Sequence, residues 1–298
     1  MYMTDLHPFG KPQQFIDLGH SRVPHYRVGR GPDLLFVHGW PLHSATFRAI
    51  VPRLADRFTC HLIDLPGTGA SEWGPDSKIS VLDHAQTLRS VVDRLELSDY
   101  AVIAHDSGAV FARLMAAGDA RLRALVLGNT EIPGHHPPLL QMLMTLERVP
   151  FGPQLLGLGL QLRPIRWSTL AYGACFHDPA FTDGEFGRLF IAPMRDPRVF
   201  EGQRRLLRKF DWSVVDSLRD VHARLHMPVK LIWGAQDPYF PLAKLKPTLS
   251  QYAGGASVHV IDPGKLFAHE EFAEEFARET RGFLERCWRD EAHPSLRT

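Results

Sequence analysis

The chain has 298 residues, 44% of them apolar and 22% charged, a composition that excludes fibrous, low-complexity and intrinsically disordered proteins. Lys and Arg number 34 against 33 for Asp and Glu, a formal net charge of +1. Nothing electrostatic therefore favours nucleic acid or an anionic membrane as a partner.

From Met1 to Gln14 the sequence is polar and interrupted by Pro8 and Pro12, without the apolar core of a signal peptide. No later run approaches the roughly eighteen apolar residues of a membrane span. Cys60, Cys175 and Cys287 are odd in number and widely spaced, which argues against a disulfide framework or a zinc site. The expectation is a soluble, cytoplasmic protein, monomer or homodimer, acting on a small molecule without metal or cofactor.

In chain order, Phe15 to Leu18 and Val23 to Val28 read as an opening hairpin, and Leu34 to His38 as a short buried strand ending at Gly39. Thr46 to Arg57 has helical spacing, and Cys60 to Asp64 is the next strand, followed by the loop D-L-P-G-T-G-A-S. Val81 to Leu95 is an amphipathic helix, Tyr100 to Ala104 a strand, Ala109 to Ala117 a helix and Ala124 to Gly128 a strand. Strands alternating with helices imply right-handed crossovers and a mostly parallel sheet covered on both faces.

The alternation then stops. From Ile132 to Arg219 the sequence offers helical pieces and loops rich in Pro, Leu and aromatics, and no convincing strand. It resumes with a strand at Val229 to Trp233, a helix at Leu242 to Gln251, a strand at Ser257 to Ile261 and a long helix from Glu270 to Asp290. An α/β core of residues 1–131 and 220–298, with a helical cap of residues 132–219 over the carboxyl ends of the strands, is the predicted organisation. α/β sheets bind ligands at those ends.

The segment Tyr100-Ala-Val-Ile-Ala-His-Asp-Ser-Gly-Ala reads as strand, sharp turn and helix, the shape of a nucleophile elbow with Asp106 at its tip. Small residues on either side allow a strained turn in which strand and helix approach closely. Taken alone, Asp106 could equally be a helix N-cap, and Ser107 could be the nucleophile.

The segments H-G-W-P at His38, D-L-P-G-T-G-A-S at Asp64, A-H-D-S-G at His105, W-G-A-Q-D at Trp233 and the closing G-K-L-F-A-H-E-E occur in order along the chain. Together they resemble the epoxide hydrolase and haloalkane dehalogenase branch of the α/β-hydrolases. The resemblance implies an Asp106 nucleophile, an oxyanion hole formed by the N–H groups of Trp40 and Ser107, and Asp237 as the acid that orients the catalytic base. It also implies a cis peptide before Pro41. A carboxylate suits attack at an sp3 carbon because it is ionised near pH 7 without help from a base. Trp40 could instead pack under the cap, and Asp237 could be a turn residue before Pro238.

The closing motif departs from the family pattern: aligning Phe267 and the Glu270–Glu271 pair without a gap puts Leu266 where these enzymes keep their histidine base. His269 is either a displaced base or a structural residue. Without a base, alkylation of Asp106 can proceed while hydrolysis of the resulting ester stalls.

The pocket is expected to draw on His38, His105, Glu131, Trp167, Tyr172, Trp212 and Leu266. Glu131 could equally cap the segment that follows it, and the two tryptophans could be core. Three readings are open: an Asp-nucleophile hydrolase on an apolar electrophile, a receptor-like binder that has lost turnover, and an isomerase or cyclase using Asp106 as acid or base.

Overall fold

A nine-stranded sheet organises the chain, seen in a computed structural model that describes residues 7–289. Its strands are β1 (Gln14–Asp17), β2 (Ser21–Gly29), β3 (Asp33–Val37), β4 (Thr59–Ile63), β5 (Glu72–Trp73), β6 (Tyr100–Ala104), β7 (Leu122–Gly128), β8 (Val229–Gly234) and β9 (Ala256–Ile261). The order is β1-β2-β4-β3-β6-β7-β8-β9, with β5 pairing β2. β2 pairs antiparallel with β1, β4 and β5, and the block from β4 to β9 is parallel.

Apolar residues fill both faces, as a parallel sheet under helices requires. On β3, Leu35 and Val37 join one core with Leu88, Val91 and Val110, while Leu34 and Phe36 join the other with Ile50, Phe276 and Leu284. Helices Val81–Arg94 and Ser107–Ala116 cover the first face, and the carboxyl-terminal helix Ala273–Arg289 covers the second. Because β3 lies between β4 and β6, the strand order reverses there, and the loops leaving β3 and β6 diverge around a crevice.

Three expected helices differ in form. In place of a helix over Thr46–Arg57 there are two short 3-10 turns, Ser44–Phe47 and Val51–Arg53, because Pro52 has no N–H for an α-helical ladder. Pro247 likewise limits the next to a turn at Leu242–Leu245 followed by 3-10 geometry through Gln251. The last helix is broken at Phe272 (φ −118°, ψ 44°), between Ala268–Glu271 and Ala273–Arg289. Its expected end, Asp290, lies outside the described residues.

Between Gly128 and Val229 the described residues form no strand. Helices Pro138–Leu146, Gly152–Gly159 and Pro197–Arg208 dominate this insertion. It is tied to the sheet's carboxyl end: the Trp40 indole N–H donates to the Gln203 carbonyl at 3.0 Å, and the Phe267 N–H to the Cys175 carbonyl at 3.0 Å. No helix among the described residues is long and apolar enough to cross a membrane.

Candidate active site

β6 runs straight into a turn at Asp106, whose φ of 52° and ψ of −140° lie where a side chain is strained, and the helix begins at Ser107. The turn fits only because its neighbours are small. A β-carbon on Gly108 would sit 2.3 Å from the His38 carbonyl oxygen, and one on Gly39 would sit 2.8 Å from Asp106 Oδ2. Asp106 makes no capping bond to the helix, so its carboxylate is not an N-cap. The side chain faces a cavity of about 130 Å³ beneath the insertion, lined also by Trp40, Ser107, Glu131, Tyr172 and Leu266.

Burial, and then the charge of Glu131, pushes the Asp106 carboxyl well above the usual carboxylate range, while the N–H groups of Ser107 and Trp40 favour its charged form. The Trp40 N–H donates to Ser107 Oγ at 3.0 Å, so the serine hydroxyl is an acceptor in this arrangement. The Trp40–Pro41 peptide is cis.

Glu131 is 2% exposed. Burial pushes its carboxyl up, and its own backbone N–H, the Arg113 charge and the Thr130 hydroxyl partly offset that. Thr130 Oγ1 lies 2.9 Å from the Asp106 carbonyl oxygen and 3.0 Å from Glu131 Oε2, and accepts from Arg113 Nη2 at 2.9 Å. Arg113, itself buried, also donates to the Glu131 carbonyl at 3.0 Å.

A third carboxylate sits behind these two. Asp237 accepts from Asn129 Nδ2 at 2.7 Å, from the Tyr239 N–H at 2.8 Å and from the Phe240 N–H at 3.1 Å. Burial raises its pKa to about 6 against those donors. The turn chemistry expected before Pro238 is therefore present, and Asp237 is not among the residues that line the cavity.

Among the described residues, no imidazole hydrogen-bonds any of the three. Leu266 lines the cavity, and its carbonyl accepts from His105 Nε2 at 2.8 Å. His269 Nε2 lies 2.7 Å from Thr46 Oγ1, its ring 3.8 Å from that of His105, and its Nδ1 has no partner. Burial, then the charges of His105 and Arg48, holds this imidazole well below its ordinary pKa.

The cavity lining excludes four expected residues. The His38 side chain turns back to accept from the Leu65 N–H at 3.0 Å, and that of His105 packs on His269, because each flanks the turn rather than crowning it. Trp167 stacks under Arg163 at 4.0 Å, and Trp212 against His136 at 4.5 Å. Residues that sequence reasoning missed are Arg113, Thr130, Asn129 and Tyr239. A lone arginine in the apolar run A-V-F-A-R-L-M-A-A was the available signal for the first.

His7, His43 and Asp64 form a separate buried cluster whose ligand atoms lie within 4.8 Å of one another. Asp64 Oδ1 accepts from Ser44 Oγ at 2.6 Å and Oδ2 from the Ala70 N–H at 2.8 Å, and His7 Nε2 lies 3.2 Å from Ser44 Oγ. These bonds make it a network that pins the turn after Pro41.

The profile of the α/β-hydrolase fold matches residues 32–273. Haloalkane dehalogenase 2 of Mycobacterium tuberculosis is 29% identical over 260 residues, 82% of this chain and 84% of that protein. Pimeloyl acyl-carrier-protein methyl ester esterase of Aeromonas hydrophila is 27% identical over 252 residues, 78% of this chain and 87% of that protein. Among solved structures, the epoxide hydrolase CorEH superposes with a TM-score of 0.78 at 20% identity, covering 92% of this chain and 98% of that one. A thermophilic esterase from Thermogutta terrifontis gives 0.73 at 19%, covering 92% and 99%.

Proposed function

The chain belongs to the α/β-hydrolase fold family, and from that premise we propose that it is a hydrolase whose Asp106 carboxylate attacks an electrophilic sp3 carbon of a small apolar molecule. One observation carries this reading: a carboxylate stands at the tip of a positive-φ elbow and faces an apolar cavity, with the Ser107 and Trp40 N–H groups beside it. Attack forms an ester on Asp106. In its hydrolysis the same N–H groups would hold the tetrahedral oxyanion, a contribution of roughly 3 kcal/mol per donor. Trp40 becomes available once the Ser107 side chain rotates its Oγ away from that N–H. The similarity to a haloalkane dehalogenase and an epoxide hydrolase supports an Asp nucleophile, with the substrate drawn from epoxides or alkyl halides.

Leu266 favours a second reading, a binder of apolar ligands without turnover, since the position of the expected base is apolar. Incubation with a short terminal epoxide or a bromoalkane, followed by intact-protein mass spectrometry, separates the two. A mass increase of one substrate equivalent, mapped to Asp106 and lost in Asp106→Asn, is expected. Absence of any adduct, with reversible binding of the same molecules, would establish the binder instead.

A further inference from the structure

Hydrolysing an ester on Asp106 requires a group that takes a proton from water, and opening an epoxide requires one that gives a proton to the departing oxygen. Among the described residues, the cavity lining contains no histidine. Of the carboxylates near Asp106, Asp237 is held by three donors and stands outside the lining. Glu147 also lines the cavity but is bound by Arg204 and Arg208, whereas Glu131 lines the same cavity as Asp106 and its side chain receives only the Thr130 hydroxyl and its own backbone N–H.

We propose that Glu131 replaces the missing histidine as the proton-carrying group of the reaction at Asp106, and that the electrophile is therefore an epoxide. This rests on the reading of Asp106 as nucleophile. Thr130 couples the two residues directly, touching the Asp106 carbonyl and Glu131 Oε2, and Arg113 fixes Thr130. Two carboxyls buried in one apolar space share a single proton more readily than they hold two charges. The upward shift of both groups agrees with that.

The steps balance. Asp106 Oδ bonds the epoxide carbon while the C–O bond breaks, and the oxygen takes the proton of Glu131, giving a hydroxyalkyl ester. The Glu131 carboxylate then takes a proton from water, and the hydroxide adds to Asp106 Cγ. Collapse breaks the Cγ–O bond, and the alkoxide takes the proton back from Glu131, releasing a diol. The acid left on Asp106 returns its proton to Glu131, so the pair holds one proton at the start and at the end. An alkyl bromide needs no such donor, and the Trp40 indole N–H is committed to the Gln203 carbonyl at 3.0 Å rather than to a departing halide.

The test compares a terminal epoxide with a bromoalkane on the unmodified protein and on Glu131→Gln, with adduct formation and decay followed by mass spectrometry. On the unmodified protein, the rate of alkylation by the epoxide should be bell-shaped in pH, whereas the bromide should show a single rise to a plateau. In Glu131→Gln the bromide should still alkylate Asp106, and decay of any ester should slow by roughly 100-fold. Ester decay in Glu131→Gln as fast as in the unmodified protein would overturn the role of Glu131. So would identical pH profiles for the two probes, a readout that stands even if the variant does not fold. Failure of both probes to modify the unmodified protein would instead overturn the reading of Asp106 as nucleophile.

Discussion

A β-carbon at Gly108 would meet the His38 carbonyl oxygen at 2.3 Å and the Val37 carbonyl oxygen at 2.6 Å. Both are backbone atoms on β3 and the loop that follows it, so no side-chain rotation relieves the clash. Gly108→Ala must push the helix off the strand or distort the turn that aims Asp106. We expect a loss of about 3 kcal/mol in urea unfolding, the upper end of the usual overpacking range. Gly74 makes the contrast, since a methyl group there would have nothing within 4 Å and the residue has no positive φ. Gly74→Ala should stay within about 0.5 kcal/mol of the parent. Equal effects at the two sites would show that the elbow yields to a methyl group. The same crowding explains why the small residues around Asp106 could be interpreted from sequence alone, whereas the hydrogen bond from the Trp40 N–H to Ser107 could not. A glycine announces a steric demand, but a hydroxyl rotamer leaves no trace in the pattern.

Elements were legible wherever apolar periodicity and chain-breaking residues agreed. β6 has the bounds Tyr100–Ala104 that its unbroken apolar run suggests, and helix Val81–Arg94 ends one residue before the expected Leu95. Helical spacing misled where a proline interrupts it, at Pro52 and Pro247, since spacing counts side chains and not N–H donors. The insertion was legible as helical, but which of its aromatics face the cavity was not. Trp167 and Trp212 turn away, while Tyr172 turns in with a hydroxyl that has no partner. Helix Ser107–Ala116 hid the largest surprise. Its Arg113 bonds Thr130, the Glu131 carbonyl and, at 3.1 Å, His222 Nε2, stitching the elbow helix to the strand-to-insertion junction and to helix Leu218–His222. Arg113→Met should therefore cost about 3–5 kcal/mol, because it strands buried acceptors and removes the cation that offsets Glu131. Chemical denaturation measures this, and a loss under about 1 kcal/mol would mean that the junction is held mainly by apolar packing.

Across the whole molecule, histidine burial sets the response to acid. His7, His25, His38 and His105 have pKa values lowered to about 4, and His84 and His222 to about 3. His43, His61 and His269 are lowered as well. Burial is the largest cause for every one. These rings stay neutral in the fold while the unfolded chain, at an ordinary 6.5, takes up protons. Their contribution is complete above pH 6.5 and is lost as the pH falls toward 4. Buried acids act the other way: Asp237 at about 6 and Glu270 at about 7 ionise later in the fold than in the unfolded chain, so they lower stability as the pH rises through that window. Asp106 and Glu131, raised mainly by burial, act in the same sense, but the nine histidines outweigh these four carboxyls, and the unfolding midpoint should drop steeply from about pH 6.5 to about 4.5 in scanning calorimetry. His84 isolates the cause, since it lies 4.9 Å from the Phe111 ring and its Nδ1 has no partner. Replacing it by phenylalanine removes one proton from the difference between unfolded and folded states. The slope of unfolding free energy against pH near 5 should then decrease by roughly 1.4 kcal/mol per pH unit. An unchanged slope in His84→Phe, or a midpoint that rises on acidification, would mean that these rings already carry their protons inside the fold.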